Sequence, residues 1–233
     1  MERRKFIESS SLILLGLVVS SKLNAASLFS DAVGVFNQYK EKILTIIKNL
    51  KSEGSNLVRK VMNGKKYEYD PYVHYPYDGG IKDDKTGCQL FFHMHRKNEY
   101  GHFHTFATDD KGELVHLILI SMNETGEPIG LATVNRWVTG DKYVKADVLK
   151  ILADKFYVEP GLFTDNRIIE FVNYIFKAFE QEIKELFDER DMWIKNYVNN
   201  NFNEPFEDRD FEILSFKKIN LNPQTNKRRI NEN

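Results

Sequence analysis

The residues of this chain best suited to chemistry are its histidines. All six lie between residues 74 and 116 of the 233-residue sequence. Four of them form two His-x-His pairs, His93 with His95 and His102 with His104. Side chains alternate between the two faces of a β-strand, so each pair places both imidazoles on one side of a sheet. Because imidazole is a common ligand of transition metals, these four residues are predicted to form a metal site.

The pairing register of the two strands decides whether the pairs meet. We expect a hairpin in which His95 lies opposite His102 and His93 lies opposite His104, with Cβ atoms about 4.5–5.5 Å apart across the strands. Phe103 then lies on an apolar reverse face. A slip of one residue would send the two pairs to opposite faces. A hydrogen-bonded ladder of histidines, or imidazoles exposed to water, is the alternative to a metal site.

Four further residues are candidates for the same site. His116 lies in an apolar run typical of a central strand, and both a ligand role and a core role remain open for it. His74 precedes a Tyr-Pro pair and is assigned as a lid residue and further ligand. Glu99 can complete the ligand set or act as general base to a metal-bound water. Arg136 can hold a carboxylate or phosphate, or form a surface salt bridge.

The elements that must position these residues predict an α+β fold. The hydrophobic pattern indicates an antiparallel meander of about four strands, packed against N-terminal helices and a long C-terminal helix. Apolar residues at helical spacing predict helices over 31–50, over 145–155 and, as one long element, over 165–199. Residues 67–88 read as an extended, turn-rich segment, and a further short strand is expected over 211–216. The four predicted strands are Gln89–His95, His102–Thr108, Leu114–Met122 and Ile129–Val138.

The first 26 residues differ from the rest. They combine a basic start, a short apolar run over Leu12–Val19 and small residues near Ala25, a pattern that indicates an export signal. The apolar run is too short to span a bilayer. Arg3 and Arg4 resemble the pair of a twin-arginine signal, which makes that export machinery an expected partner, although ordinary secretion stays open. We therefore expect a bacterial periplasmic or otherwise exported protein with no stable membrane anchor after cleavage.

Composition and charge complete the domain prediction. With 33 Lys+Arg against 34 Asp+Glu the net charge is −1, which gives no basic field for nucleic acid, and one Cys cannot form an internal disulfide. After the signal we expect an N-terminal helical region over 27–66 and a histidine-rich α+β domain with its long helix over 67–221. Residues 222–233 are expected to form a disordered tail.

Several strings together are similar to a bacterial family known only as a domain of unknown function. They are His74-Tyr75-Pro76, Phe92-His93-Met94-His95-Arg96, Glu99-Tyr100-Gly101-His102-Phe103-His104 and Asn135-Arg136-Trp137-Val138-Thr139. They cover roughly residues 72–143. The resemblance implies no activity, but it supports treating these positions as one site.

The sequence thus predicts an exported metal-binding protein that holds a divalent transition metal, with iron, copper and zinc all open. A metal-dependent oxidoreductase is the leading form of this hypothesis. The alternatives are a metal carrier or sensor without catalysis, and a non-metal interaction module that binds a partner through its helices and the tyrosines of residues 67–77. Whether the protein is an enzyme, and its oligomeric state, stay open.

Overall fold

The computed structural model describes residues 38–221, which form a sheet with helices packed against it. The predicted export signal over 1–26 and the predicted tail over 222–233 lie outside the described residues. The described helices are α1 over 38–52, α2 Leu57–Val61, α3 Arg136–Thr139, α4 Ala146–Asp154, α5 Arg167–Ala178 and α6 Glu180–Asn201, with a 3-10 turn at Pro160–Leu162. The strands are β1 Asp70–Tyr75, β2 Ile81–Asp83, β3 Cys88–Met94, β4 Gly101–Thr108, β5 Leu114–Met122, β6 Pro128–Val134 and β7 Ile213–Lys218.

The sheet is antiparallel throughout, in the order β1-β3-β4-β5-β6-β7, with β2 paired to β3 beside β1. The α+β prediction is confirmed, but the sheet has seven strands instead of about four. Two of the additional strands come from residues 67–88, whose chain folds back twice along the free edge of β3. The third is β7, which pairs with the edge of β6 and corresponds to the short strand expected over 211–216. The edge strand β1 carries a weak sequence signal because few of its side chains are buried.

One face of the sheet carries the main hydrophobic core. Its side chains pack with the apolar sides of the helices, and the ring centroids of Phe92 and Phe103 lie 4.9 Å apart. Phe171 of α5 lies 5.9 Å from Phe103. We call this side the core face, and it comprises Leu90, Phe92, Met94, Phe103, Thr105, Ala107, Val115, Leu117, Ile118, Ile120, Met122 and Leu131.

Two predicted boundaries are wrong. The strand expected to continue to Val138 ends at Val134, because the side chain of Asn135 caps α3 and its amide donates to the backbone oxygen of Pro205 at 2.8 Å and of Phe211 at 3.0 Å. The long C-terminal helix is two helices, since Phe179 leaves the helical region at φ −126° and ψ 30° and buries its ring. The apolar stripe continues across this break, which is why periodicity did not show it.

No helix within residues 38–221 is both long enough and apolar enough to cross a membrane.

Candidate metal centre

The register between β3 and β4 differs from the predicted one by two residues. His93 lies directly opposite His102, and Phe92 lies opposite Phe103. The predicted pairing of His95 with His102 is therefore wrong. The observed register stacks the two phenylalanines on the core face, and Gly101 makes room for it, since a Cβ there would lie 2.4 Å from the Phe92 ring. Because the shift is even, the histidines of both strands still share one face.

A β-bulge brings a third strand into the cluster. Between β4 and β5 the register shifts, so that Leu117 and Ile118 oppose the single residue Thr105. The Thr105 hydroxyl donates to the Ile118 carbonyl at 2.8 Å and accepts from the Ile118 N–H at 3.1 Å. A bulge of one residue reverses which face the following side chains occupy. As a result His116 lies on the same side as His104, and we call this side, with His93, His102, His104 and His116, the histidine face.

Three histidines lie close enough together to hold a metal ion. His93, His95 and His102 each offer a ring nitrogen, and these three atoms lie within 4.8 Å of one another. The ring centroid of His93 is 4.6 Å from that of His95 and 4.4 Å from that of His102. His93 and His102 are buried, whereas His95, just after β3, is half-buried. Three nitrogen ligands with one partly open side is an arrangement found in catalytic zinc sites.

The orientation of two of these rings is set by acceptors on their far sides. His93 Nδ1 donates to the Pro71 carbonyl at 3.3 Å, which leaves His93 Nε2 buried and without a hydrogen-bond partner among the described residues. His102 Nδ1 donates to the Glu99 carboxylate. Metal-binding histidines commonly donate their second nitrogen to a carbonyl or a carboxylate in this way. His93 is therefore held with Nε2 free of any partner within residues 38–221, whereas the Nε2 lone pair of His102 faces the same space and also lies 3.1 Å from His104 Nε2.

Two further histidines, His104 and His116, extend the cluster as a hydrogen-bonded chain. His104 Nε2 lies 3.1 Å from His102 Nε2, and His104 Nδ1 lies 2.8 Å from His116 Nε2. A neutral imidazole has one donor and one acceptor nitrogen, so this chain is satisfied when each ring donates to the next in one direction. The histidine ladder that the sequence left open as an alternative is thus present. His102 belongs both to this ladder and to the three candidate ligands, so a metal on His102 Nε2 would replace the hydrogen bond from His104.

Burial keeps the imidazoles of this cluster neutral. It lowers the pKa of His93 to about 3 and that of His116 to about 4, and it holds the pKa values of His102 and His104 well below the usual range. Burial also lowers the pKa of His95. A metal binds the deprotonated nitrogen, so the cluster is in its metal-binding protonation state at neutral pH.

Glu99 lies in the loop between β3 and β4 with its side chain only 4% exposed. Burial raises its pKa to about 7, while the hydrogen bond from Ser121 and the positive charge of Arg96 act in the opposite direction. Arg96 pairs with Glu99 at 3.5 Å and with Glu212 at 3.2 Å. The structure thus places Glu99, which the sequence suggested as a further ligand or general base, as a buried carboxylate against His102 Nδ1. The sequence gives no signal for Glu212, because this residue is far from Arg96 along the chain. The two come together because Glu212 lies directly before β7, a strand of the same sheet.

The structure places the other two candidates outside the group of three. His74 lies on β1 with its ring 4.3 Å from Phe91 and 5.5 Å from His93, so it borders the cluster as part of a strand instead of covering it. Arg136 begins α3, where it pairs with Glu207 at 2.6 Å. This contact is the surface salt bridge that the sequence left open as the alternative to binding a carboxylate or phosphate ligand.

This combination, an antiparallel sheet with helices on its core face and a cluster of imidazoles on the other, defines a small α+β domain with a candidate metal centre. The chain belongs to a family described as a domain of unknown function (DUF6969), whose model matches residues 37–219. The resemblance found in the sequence to a family of unknown function is thereby confirmed. Searches of curated proteins and of solved structures each gave no match.

Proposed function

We propose that this protein binds a divalent transition metal through His93, His95 and His102. One observation carries the proposal: His93 Nε2 is buried without a hydrogen-bond partner among the described residues, next to two imidazoles whose nitrogens lie within 4.8 Å. An unpaired buried polar atom costs stability, and a metal ion would satisfy it. Iron, copper and zinc all accept imidazole ligands, and the proposal covers these three.

The leading form of the proposal is a metalloenzyme, with an oxidoreductase as the specific hypothesis. Three protein ligands leave a coordination position for water or substrate, which is the usual arrangement in catalysis. His95 and Glu99 both line a cavity of about 580 Å³, so that position has room for a small molecule beside it. Export through the twin-arginine route is part of this proposal, because that route carries folded, metal-loaded proteins.

One observation favours a carrier or sensor as second candidate. His104 Nε2 lies only 3.1 Å from His102 Nε2, and a small rotation would make it a fourth nitrogen ligand. A site closed by four imidazoles resembles a structural or transport site more than a catalytic one. X-ray absorption spectroscopy of the loaded protein separates the two, since it distinguishes three nitrogen ligands plus oxygen from four nitrogen ligands.

The test is elemental analysis by mass spectrometry on the purified full chain and on three variants. We expect about one metal ion per chain in the wild type and its loss in both His93→Ala and His102→Ala, because each removes one of three ligands. His74→Ala is the matched control, since this histidine borders the cluster without belonging to the group of three. It is expected to keep the metal.

Two results would overturn the proposal. One is a wild-type chain that takes up no stoichiometric iron, copper or zinc. The other is retention of the metal in both triad variants. Circular dichroism of each variant confirms that the fold is intact, so that loss of metal is not confused with loss of structure.

A further inference from the structure

The cavity beside the three histidines carries a further inference about what the site binds. It encloses about 580 Å³ and extends from the loop between β3 and β4 to β6 and β7. Cavities of roughly 300–1,000 Å³ with a few polar groups are typical of small-molecule sites. Its polar end contains His95, Glu99 and Ser121. This inference rests on the proposed function and concerns the class of ligand.

Another part of the cavity lining is apolar and aromatic. It is formed by Ile129, Ile213, Phe216 and Tyr69. Phe216 is 52% exposed and Tyr69 is 56% exposed, so two aromatic rings with free surface line one cavity. Gly130 lets the Phe216 ring lie close over β6, because a Cβ there would come within 2.5 Å of the ring. Such a wall suits the apolar body of an organic molecule.

A bound metal would make the charge of this cavity favour an anionic group on that molecule, because the lining alone balances Arg96 and Lys97 against Glu99 and Glu212. The guanidinium of Arg96 is engaged by Glu99 and Glu212. Lys97 also lines the cavity and forms no ion pair with any residue between 38 and 221. Three neutral imidazoles leave the charge of a bound divalent cation uncompensated, so an anionic fourth ligand is favoured electrostatically.

We propose that the cavity binds a small organic carboxylate with an aromatic or branched aliphatic body. Its carboxylate would occupy the open side of the metal within reach of Lys97, and its body would cover Phe216 and Tyr69. Neither half of the cavity alone specifies this class. The juxtaposition of a cationic, metal-binding end with an exposed aromatic wall does.

The test uses the full chain loaded with cobalt(II), whose visible absorption reports the ligands of the metal. Phenylacetate, acetate and 2-phenylethanol are titrated, with calorimetry as a second readout. We expect phenylacetate to bind at least tenfold more tightly than acetate, which lacks the apolar body, and than 2-phenylethanol, which lacks the charge. The cobalt spectrum is expected to change with both carboxylates.

Two variants separate the halves of the cavity. Phe216→Ala is expected to weaken phenylacetate binding about fivefold and to leave acetate unchanged, because only the ring loses its contact surface. Lys97→Gln is expected to weaken both carboxylates. Tyr72→Ala, which removes an exposed tyrosine outside the cavity lining, and Lys111→Gln, in an exposed turn, are the matched controls and should change neither.

The outcomes distinguish this inference from the proposed function, because cobalt content is measured in every sample. A chain that takes up none of cobalt, iron, copper and zinc overturns both, and a chain that takes up zinc but not cobalt is tested in its zinc form by the calorimetry. A chain with one bound cobalt that binds phenylacetate no more tightly than acetate or 2-phenylethanol overturns only the ligand class. The same holds if the two controls reduce binding as much as Phe216→Ala and Lys97→Gln.

Discussion

The two faces of the central sheet are equally buried but are built from opposite chemistry. On the core face, Phe92, Phe103 and Ile120 are 0% exposed and pack with the helices. On the histidine face, His102 and His104 are also 0% exposed, and their ring nitrogens are connected by hydrogen bonds. The same three strands, β3, β4 and β5, supply both sets of side chains.

This difference shows that burial has different effects on stability on the two faces. Burying a large apolar side chain contributes about 1.5–3 kcal/mol of stability and needs no specific partner. A buried imidazole lowers stability unless its nitrogens are paired, and His93 Nε2 has no partner among the described residues. The unpaired Nε2 of His93 is therefore the feature of this face that packing does not explain and that the proposed metal would.

The largest expected effect is the loss of a ring from the core face. Phe103→Ala should lower the free energy of unfolding by about 3–5 kcal/mol, because it leaves a cavity between the sheet and α5. Urea denaturation followed by circular dichroism measures it. Phe202→Ala is the control, since this side chain is 92% exposed and should change stability by less than about 0.5 kcal/mol. Similar effects for the two variants would show that the core face is not the source of stability.

The features that could be predicted from the sequence depend on repeating patterns along the chain, such as the alternation of side chains between the two faces of a strand. Alternation along a strand placed His93 and His95 together, and an error of two residues in the register left the four histidines of the two pairs on their predicted face. The α+β class followed from hydrophobic periodicity in the same way. Neither depends on which residue lies exactly opposite which, so short-range patterns were sufficient.

The features that could not be predicted depend on contacts between distant residues. Phe92 against Phe103 set the register, and the Thr105 hydroxyl held the bulge that brings His116 to the cluster. The strand β1 and the pairing of the predicted C-terminal strand with β6 depend on backbone hydrogen bonds, which leave little trace in side-chain patterns. Glu212 lies directly before β7, so its contact with Arg96 also depends on where that strand pairs in the sheet.

The second prediction concerns the bulge at Thr105. This residue of the core face holds the bulge that places His116 on the histidine face. Thr105→Val removes the hydroxyl and leaves the N–H and carbonyl of Ile118 without that partner in a buried position. The free energy of unfolding should fall by about 1–3 kcal/mol, measured by urea denaturation. Thr105→Ser keeps the hydroxyl and should retain most of the stability. Equal losses in the two variants would assign the effect to the side-chain methyl group instead of the hydrogen bonds.

The smallest expected effect has the opposite sign and separates the two faces most directly. In the wild type, the imidazole of His93 has a buried nitrogen without a partner among the described residues. His93→Leu puts an apolar side chain of similar size in its place. In the metal-free protein, with a chelator present, it should raise the free energy of unfolding by about 1 kcal/mol while metal binding is lost. His93→Gln keeps a polar group in the same place and should give no such gain. If His93→Leu instead destabilises the metal-free protein as much as Phe103→Ala does, the imidazole contributes to the fold through the Pro71 hydrogen bond and its packing, and the histidine face is a structural ladder. A gain in stability together with a loss of metal would show that the His93 imidazole serves metal binding and not the stability of the fold.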